Sequence, residues 1–381
     1  MLRVVKGAKL ELGGPVEAMF QCARQLQEMG HSTEILSMDA PGDPGISDTV
    51  FKVHAMGPAK TSFGFSPRTA PWLEAHIADY DVVIVHGVWL HHGWVVRNAA
   101  RKHKVPYFVY THGSLDPYIR RAYPIKAVKK QVYWPFETRV LHDAQAVLFT
   151  TEEERLTSRQ SYKPYKVVER VVPYGTSAPV FTESQIDKFY EIVPKARNKR
   201  VILCVGRFHP IKGMDLLMEA FGRVFAKDSN WILVVAGPDE CGLKAGFEQI
   251  AQTYGVADRV FFPGMIKGEA KWGAFRAATV FALPSHHENF GIAVAEALSC
   301  GTPVLVSDKV NIWREVTASR AGLVAPDTLD GAVLLLKELK GLSPEDLTDM
   351  GKRATDCFVS HFEATRMAAG LLEVIAELGS R

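Results

Sequence analysis

Two glutamates, Glu288 and Glu296, carry the only charges between residues 288 and 304. The rest of this stretch is largely apolar, and it ends in the helix-stop signal Gly301 followed by Pro303. The pattern predicts a loop, a short buried helix and a buried strand. A carboxylate inside an apolar helix is unstable unless it is hydrogen-bonded. Glu296 therefore requires a partner, which is a ligand hydroxyl, the end of a neighbouring segment that it caps, or a buried arginine or lysine.

The tripeptide Asn289-Phe290-Gly291 directly precedes this helix. The first N–H groups of a helix have no partner inside it, and they bind phosphates and other anions. We therefore expect one helix to hold a phosphate at its start and a diol within its second turn.

A basic loop follows a predicted strand at 200–205 and contains Arg207 and Lys212 before Gly213. Arginine offers a planar fork of donors and lysine a compact charge, so the pair can neutralise a diphosphate. A solvated surface loop is the alternative interpretation. The position of the loop between a strand and a helix start favours anion binding.

In the first half of the chain, Gly13 and Gly14 precede a helix whose first turn accepts Pro15. A glycine pair lets a ligand or another backbone segment approach closely, although many loops contain one. His112 ends an apolar strand and is followed by Gly113. An imidazole there can hydrogen-bond a substrate hydroxyl or act on a developing charge, whereas most histidines are structural.

His86 ends another apolar strand and is a second candidate, whereas His91 and His92 are expected on the surface at a helix start. The chain has no G-x-G-x-x-G fingerprint, no Walker lysine motif, no zinc-ligand spacing and no pattern that indicates a Ser-His-Asp or Cys-His site. Nicotinamide chemistry and ATP hydrolysis therefore have no support in the sequence.

The segment 118–134 interleaves five basic residues with aromatic and aliphatic ones. Such a segment can lie on anionic lipid headgroups or hold a phosphate-bearing acceptor, and a solvated helix face is the alternative. Because the segment follows His112 closely, we expect it to border the same site.

Short apolar segments alternate with amphipathic ones along all 381 residues, which is the pattern of βαβ units around parallel sheets. Two series of such βαβ units meet near residue 180, and residues 173–199 are the expected linker between them. Ligands bind beyond the carboxyl ends of parallel strands, so two such domains would face each other across a cleft. Strands are predicted at 2–5, 33–36, 81–85, 107–110, 146–149, 167–172, 200–205, 231–236, 260–262, 280–282 and 303–306.

The composition restricts the partners and the compartment. A net charge of +3, from 45 basic and 42 acidic residues, is too balanced for a dedicated nucleic-acid binder. Five scattered cysteines without a ligand spacing favour a reducing cytoplasm and no structural metal. No segment approaches the ~20 apolar residues that span a bilayer. The protein is expected in the cytoplasm, with the inner face of the membrane as an alternative.

Taken together, these segments resemble the family-four retaining glycosyltransferases (glycosyltransferase group 1) of the GT-B fold, which use nucleotide-sugar donors. The resemblance covers nearly the whole chain, and the glutamate pair with the Arg/Lys loop is its most specific part. The motifs that carry it are Gly13-Gly14, His112-Gly113, Pro173-Tyr174-Gly175, Gly206-Arg207 to Lys212-Gly213, Phe262-Pro263-Gly264, and Glu288 with Glu296.

The resemblance implies an α/β architecture of two Rossmann-like, doubly wound domains facing a central cleft. Residues 1–180 would form an acceptor-binding domain and residues 181–360 a nucleotide-sugar-binding domain. Residues 361–381 would form a helix that crosses back to the first domain. One departure is that Arg3 and Lys6 interrupt the apolar first strand, which puts the length of that strand in doubt.

A catalytic set is implied by the matching positions. Arg207 and Lys212 would bind the donor diphosphate and offset charge on the leaving nucleotide, without a metal or other cofactor. Glu288 would contact the donor sugar, and His112 would face that sugar from the other domain. Retention in this family is often described as front-face attack, with the leaving phosphate assisting acceptor deprotonation, so no protein nucleophile is expected.

A donor-binding set is implied as well. Glu296 would hold the ribose hydroxyls, Met265 would lie near the base and Gly14 would border the phosphates. The backbone of the tripeptide before the helix would hold sugar and phosphate oxygens. The complete set is Gly13, Gly14, Met265, Asn289, Phe290, Gly291 and Glu296.

The resulting hypothesis is a retaining hexosyltransferase that moves a sugar from a nucleotide-diphosphate sugar to a lipid-linked or saccharide acceptor in surface polysaccharide or glycolipid biosynthesis. Two alternatives stay open, a nucleotide-sugar epimerase of the same fold and a noncatalytic nucleotide-sugar binder. UDP, GDP and ADP sugars are all compatible with the sequence. We also expect the segment 118–134 to contact a membrane, and we expect no binding of nucleic acid.

Overall fold

The structure is a computed structural model that describes residues 1–9, 13–47 and 50–379. The chain forms two compact units, Met1–Gly175 with Ala364–Arg381, and Thr176–Glu363. The sequence placed the corresponding limits at residues 180 and 360. The acceptor and donor roles given to the two halves stay predictions.

The first unit carries, within its described residues, a seven-stranded parallel sheet with helices between the strands. The strand order is β3-β2-β1-β4-β5-β6-β7. The strands are β1 (Leu2–Val5), β2 (Glu34–Ser37), β3 (Val53–Ala55), β4 (Val83–His86), β5 (Tyr107–Tyr110), β6 (Ala146–Phe149) and β7 (Glu169–Val171). The helices are α1 (Gly14–Glu28), α2 (Pro44–Ser47), α3 (Thr69–His76), α4 (His91–His103), α5 (Pro117–Ala122), α6 (Pro124–Asp143), α7 (Glu152–Ser158) and α16 (Ala364–Leu378).

The second unit is built in the same way around a six-stranded parallel sheet of order β10-β9-β8-β11-β12-β13. Its strands are β8 (Arg200–Val205), β9 (Trp231–Ala236), β10 (Val260–Phe261), β11 (Val280–Leu283), β12 (Val304–Ser307) and β13 (Gly322–Ala325). Its helices are α8 (Glu183–Ile192), α9 (Met214–Phe225), α10 (Lys244–Thr253), α11 (Gly268–Ala277), α12 (Ile292–Ser299), α13 (Trp313–Ser319), α14 (Leu329–Gly341) and α15 (Pro344–His361).

Each sheet changes its winding direction once, beside β1 and β4 in the first unit and beside β8 and β11 in the second. Strands next to these points are buried on both faces, as helix-covered parallel strands are. The predicted α/β class with two doubly wound sheets is confirmed. Ligands of such sheets bind at the carboxyl ends of the strands beside the change of direction, so the candidate site is sought there.

Every predicted strand is present, with its ends moved by at most two residues. Two strands were missed, β3 and β13, and both lie at an edge of their sheet. Most of their residues are only partly buried, so they lack the continuous apolar sequence of the central strands. The predicted first strand at 2–5 is intact despite Arg3, whose side chain is fully buried within it. Residues 10–12, which precede the glycine pair, lie outside the described residues.

The predicted linker at 173–199 is wrong in part, because α8 lies within it. Thr182 begins this helix with a capping box that uses Gln185. Helix α8 packs against α11, where a Cβ on Gly273 would lie 1.8 Å from the carbonyl oxygen of Gln185. Most residues of the segment are polar, so the sequence did not reveal a helix that depends on close packing against a distant glycine.

Helix α6 buries the carboxyl group of Glu137. Burial raises the pKa of Glu137 from 4.5 to about 7, while a hydrogen bond from the backbone N–H of Trp89 and the charge of Lys130 act in the opposite direction. Trp89 has the left-handed φ of 66°, which is unusual for a residue with a side chain. The Glu137 carboxyl thus helps to hold a strained turn after β4.

In the described ranges, no helix is long and apolar enough to cross a bilayer.

The raised pKa of Glu137 predicts a pH-dependent stability. The folded state binds the proton more tightly than the unfolded state, so the stabilisation is complete below pH 4.5 and is lost as the pH rises to about 7. A shift of this size corresponds to about 3 kcal/mol. We expect Glu137→Gln to reduce this loss in urea unfolding measured from pH 4.5 to 8, with the exposed Glu28→Gln as a matched control. Identical pH profiles for Glu137→Gln and the wild type would contradict the assignment.

Candidate active site

The basic loop after β8 is held in a fixed shape by a glycine. Residues Pro210–Lys212 form a 3-10 turn, and Gly213 follows with φ 60°. A Cβ on Gly213 would lie 2.2 Å from the carbonyl oxygen of Pro284, which excludes any side chain. The turn directs the chain into α9. On the same loop, the exposed Arg207 places Nη1 2.8 Å from Oε2 of Glu240.

Lys212 and Glu288, which the sequence singled out separately, are brought together as a half-buried ion pair. The backbone of Glu288 is fixed on both sides: its N–H donates to the carbonyl of Lys309 at 2.9 Å, and its own carbonyl accepts from the N–H of Asn311 at 3.0 Å. The pair therefore has a defined orientation at the carboxyl edge of the sheet. Its ammonium group lies where a bound anion would add a second negative partner.

The predicted helix at 290–300 is α12, and it begins as expected at the loop Asn289-Phe290-Gly291. Gly291 has the left-handed φ of 87° and its carbonyl accepts from the N–H of Val294 at 2.8 Å. Phe290 is buried and its ring meets that of Phe362 edge-on at 5.7 Å. The aromatic contact anchors the loop, so the first turn of α12 presents its N–H groups beside Glu288.

Glu296 is buried in α12, and its Oε1 accepts a hydrogen bond from Nζ of Lys271 at 2.5 Å. Lys271 comes from α11 and was not singled out by the sequence. Of the partners that the sequence left open, which were a ligand hydroxyl, a capped neighbouring segment and a buried cation, the structure supplies the cation. The role of Glu296 as a ribose ligand stays a prediction.

The loops after β8, β9 and β10 are hydrogen-bonded to each other. The N–H of Gly237 donates to the carbonyl of Gly264 at 2.8 Å, and a Cβ on Gly237 would lie 1.9 Å from the carbonyl oxygen of Gly206. Met265 follows Gly264 and is exposed. Met265 and Arg207 therefore lie on adjoining loops of one edge. That Met265 lies near the nucleobase of the donor stays a prediction.

In the first unit, the strand-end turn that contains His112 is fixed by a carboxylate that the sequence did not reveal. Glu154 is buried, and its Oε1 accepts from Thr111 Oγ1 and from the Gly113 N–H, both at 2.6 Å. Its Oε2 accepts from the N–H and Oγ1 of Thr150 at 2.7 and 2.8 Å. Four hydrogen bonds satisfy a buried carboxylate. They hold the residues on either side of His112, which itself has φ 50°.

The ring of His112 belongs to a buried hydrogen-bonded chain that starts at Arg3. Arg3 Nη1 lies 3.3 Å from Nε2 of His86, and His86 Nδ1 lies 3.1 Å from Nε2 of His112. His112 Nδ1 is hydrogen-bonded to the hydroxyl of Tyr174. Because a guanidinium only donates, His86 accepts at Nε2 and donates from Nδ1. His112 in turn accepts at Nε2 and donates from Nδ1 to Tyr174.

Burial keeps these imidazoles neutral. It lowers the pKa of His112 to about 3, and it lowers that of His86, with a further contribution from His112 and Arg3. The expectation that His92 lies on the surface is wrong: it is buried, its Nε2–H donates to the carbonyl of His86 at 3.1 Å, and burial lowers its pKa to about 4. Helix α4 turns this side chain inward against β4, which the sequence pattern did not indicate.

Gly13 and Gly14 lie at the start of α1 in the same unit. Gly13 has φ 96° and no atom within 4 Å of a Cβ built on it, so its backbone angle rather than lack of space favours glycine. The following residues Pro15 and Val16 line one cavity together with His112. The structure therefore brings the residues after the glycine pair and His112 to one cavity, and their contact with a donor stays a prediction.

Within the described part of the chain, no three His, Cys, Asp or Glu side chains are grouped as a metal site would require. Metal independence stays a prediction.

The hydrogen-bonded chain predicts the tautomers of two histidines. In ¹⁵N NMR spectra of the histidine rings, His86 and His112 should carry the proton on Nδ1 and stay neutral from pH 5 to 8. Arg3→Met should remove the donor that fixes His86 and produce a mixture of tautomers, whereas the exposed Arg24→Met should not. Protonation of His112 within this pH range, or an Nε2–H tautomer in the wild type, would be incompatible with the chain of donors.

Two family models match the chain. The model of the glycosyl transferase 4-like domain matches residues 13–175, and the model of glycosyl transferases group 1 matches residues 185–356. Together they cover both units.

Relatives with sequence similarity include D-inositol 3-phosphate glycosyltransferases. That of Gordonia bronchialis is 28% identical over 227 residues, which is 57% of this chain and 49% of the relative. That of Geodermatophilus obscurus is 33% identical over 180 residues, or 45% of this chain and 40% of the relative. These matches span half or less of the relatives' length. The D-inositol 3-phosphate glycosyltransferase of Mycolicibacterium smegmatis is 27% identical over 326 residues, which is 78% of this chain and 71% of the relative.

Solved structures share the fold over the whole chain. Sucrose-phosphate synthase from Thermosynechococcus elongatus has a TM-score of 0.76 at 20% identity, covering 100% of this chain and 98% of the other. Anabaena HepE in complex with UDP and glucose has a TM-score of 0.77 at 16% identity, covering 99% of each chain. The folds agree with the GT-B architecture that the sequence predicted. With both units matched by family models, the chain belongs to the group 1 glycosyltransferases of the GT-B fold.

Proposed function

We propose that the chain is a retaining hexosyltransferase that moves a sugar from a nucleotide-diphosphate sugar to a lipid-linked or saccharide acceptor, in the biosynthesis of surface polysaccharide or glycolipid. The observation that carries the proposal is the Lys212–Glu288 ion pair beside the first turn of α12. A cation, a carboxylate and open backbone N–H groups in one place suit a phosphate with a hydroxylated sugar attached to it. The family match favours a transferase over an epimerase.

When the donor binds, its diphosphate forms new contacts with Arg207 and Lys212, which are paired with Glu240 and Glu288 in its absence. Arg207 is mostly exposed and its pair with Glu240 contributes little to stability, so the guanidinium can turn to a ligand at small cost. Lys212 is half-buried and already oriented. Both cations offset the negative charge that develops on the leaving diphosphate, and no metal is invoked.

Transfer with retention follows from attack on the same face as the leaving group. The bond between the sugar C1 and the diphosphate oxygen breaks, a bond from C1 to the acceptor oxygen forms, and the acceptor proton moves to the leaving phosphate. Glu288 contacts the sugar, and Asn289, Phe290 and Gly291 hold sugar and phosphate oxygens through their backbone. No side chain acts as a nucleophile.

The other donor contacts are assigned by position. Glu296, already fixed by Lys271, accepts from the ribose hydroxyls, and Met265 contacts the base. Gly13, Gly14 and His112 keep the donor-binding and catalytic roles that the family resemblance implies for them. Support for a uridine donor comes from the structural neighbours, among them HepE with UDP-glucose and the Escherichia coli trehalose-6-phosphate protein with UDP-2-fluoro glucose.

Substitution of Lys212 tests the donor half of this proposal. We expect Lys212→Ala to lower sugar transfer or donor hydrolysis by about 10²–10³-fold, the usual effect of losing one group that stabilises transition-state charge. UDP, GDP and ADP sugars are to be compared by released nucleoside diphosphate. Lys227→Ala, an exposed lysine of the same unit, is the control. Unchanged turnover in Lys212→Ala would refute the assignment. Epimerised free nucleotide sugar would support the epimerase, and binding without turnover the noncatalytic binder.

We further propose that α6 rests on the anionic inner face of a membrane. One side of this helix carries four apolar residues at helical spacing, Ile125, Val128, Val132 and Phe136, exposed by 76, 67, 75 and 48%. Exposed basic side chains flank them on the same helix. Burying each aliphatic residue contributes about 1.5–3 kcal/mol and each lysine near anionic lipid about 1 kcal/mol. Apolar and basic residues side by side match an anionic bilayer surface better than plain solvent.

Charged substitutions on this side of α6 test the membrane contact. The double variant Val128→Asp/Val132→Asp should reduce co-sedimentation with phosphatidylserine vesicles at least tenfold, because both the apolar contact and the positive potential are weakened. Val50→Asp places the same charge at a valine of similar exposure, 73%, elsewhere in the first unit and should bind like the wild type. Equal sedimentation of all three proteins would show that α6 does not contact the bilayer.

A further inference from the structure

The first unit contains a cavity of about 890 Å³ whose lining includes residues directly after β1, β4 and β5. This is the carboxyl edge beside the change of winding direction, where ligands of doubly wound sheets bind. The volume lies within the range of about 300–1,000 Å³ that small-molecule sites occupy. The cavity can therefore hold a whole sugar or a molecule of similar size.

Four lysines line this cavity: Lys6 after β1, and Lys126, Lys129 and Lys130 on α6. The three on α6 lie on one side of the helix, since Lys129 and Lys130 follow Lys126 by three and four positions. Among the described residues, none of the four forms an ion pair with a carboxylate. Burial and the neighbouring charge of Lys126 lower the pKa of Lys130. An anion in the cavity would relieve this repulsion.

Aromatic rings form the apolar part of the wall. Trp89 and Tyr133 line the cavity, and the ammonium group of Lys130 lies 5.1 Å from the ring centre of Trp89. Trp89 is held by ring contacts with Trp134 and Tyr162 at 5.6 and 5.0 Å. A fixed flat ring suits the apolar C–H face of a sugar or cyclitol ring. The lysines thus suit an anionic group of a ligand, and the aromatic rings suit the ring of the same ligand.

We infer that this cavity binds a phosphorylated sugar or cyclitol as the acceptor, with its phosphate on Lys6, Lys126, Lys129 and Lys130 and its ring against Trp89 and Tyr133. The inference rests on the proposed transfer reaction, whose acceptor it specifies. Several ammonium groups around one anion favour a phosphate, which carries more charge and more acceptor oxygens than a carboxylate. His112 lies in the same lining and so borders the acceptor.

The phosphate can come from a soluble sugar phosphate or from a lipid headgroup. Both present the same group to the lysines. The apolar stripe of α6, Ile125, Val128, Val132 and Phe136, adjoins the lysine-bearing side of the same helix. A lipid-borne phosphate would reach the cavity beside that stripe, whereas a soluble acceptor would not use it.

The test is isothermal titration of the full chain with four probes: a hexose phosphate, the same hexose, inorganic phosphate and a short-chain phosphatidic acid. We expect at least one of the two organic phosphates to bind ten or more times more tightly than the free hexose, and inorganic phosphate to compete with it. The source is soluble if the hexose phosphate binds more tightly, and lipid if the phosphatidic acid does.

Variants locate the binding. Lys126 and Lys129 are exposed, so the double variant Lys126→Gln/Lys129→Gln should fold, and its thermal unfolding without ligand checks this. We expect it to lose about 10–100-fold in affinity for the phosphorylated probe, since each charge-assisted contact is worth about tenfold. Lys129→Arg should retain most of the affinity. The exposed Lys166→Gln should bind like the wild type.

Failure of this inference is distinguishable from failure of the proposed function. Binding that survives Lys212→Ala but falls in Lys126→Gln/Lys129→Gln supports the cavity, even if no nucleotide sugar is turned over. Equal binding of phosphorylated and free hexose, no binding of either organic phosphate, or wild-type affinity in the double variant would overturn the inference. Each of these results would leave a Lys212-dependent sugar transfer intact.

Discussion

Parallel strands end at one edge of each sheet, and the loops leaving that edge must satisfy the backbone groups there. In the first unit the buried carboxylate of Glu154 does so, joining the turns after β5 and β6 through Thr111, Gly113 and Thr150. In the second unit Gly237 approaches the neighbouring loops so closely that no side chain fits. These contacts fix irregular backbone at the edge, and His112, Arg207 and Met265 of the candidate site lie on loops of that fixed backbone.

The two units differ in how they balance their cations. In the second unit Lys212 pairs with Glu288, and Arg207 with Glu240. Glu288 fixes the orientation of the partly buried Lys212, whereas the exposed pair with Glu240 holds Arg207 only weakly. In the first unit Lys126 and Lys130 of α6 lie over the rings of Tyr123 and Trp89, and neither forms an ion pair with a carboxylate of the described residues. Glu137, the acidic group that acts on Lys130 from inside, has a pKa raised to about 7 by burial.

Much of the fold could be predicted from the sequence, because central parallel strands are continuously apolar and their helices have the period of one buried face. The edge strands β3 and β13 and helix α8 could not, since their residues are mostly polar or half-buried. Part of the site was also predictable: a basic loop before a helix and a glycine before another are local signals. Glu154 had a local signal as well, because Thr151 three positions earlier caps its helix, and the Thr151 Oγ1 accepts its N–H at 3.0 Å.

The sequence by itself determined most of the strands and helices, the two glycines that begin α9 and α12 and the need of Glu296 for a partner, because each depends on neighbours within a few residues. Only the tertiary structure decided that this partner is Lys271, 25 positions away, and that Arg3 is buried against His86, 83 positions away. It also placed three lysines of α6 around a cavity. Such pairs depend on which helix packs on which strand, and a buried charge records only that a partner exists, not where along the chain it lies.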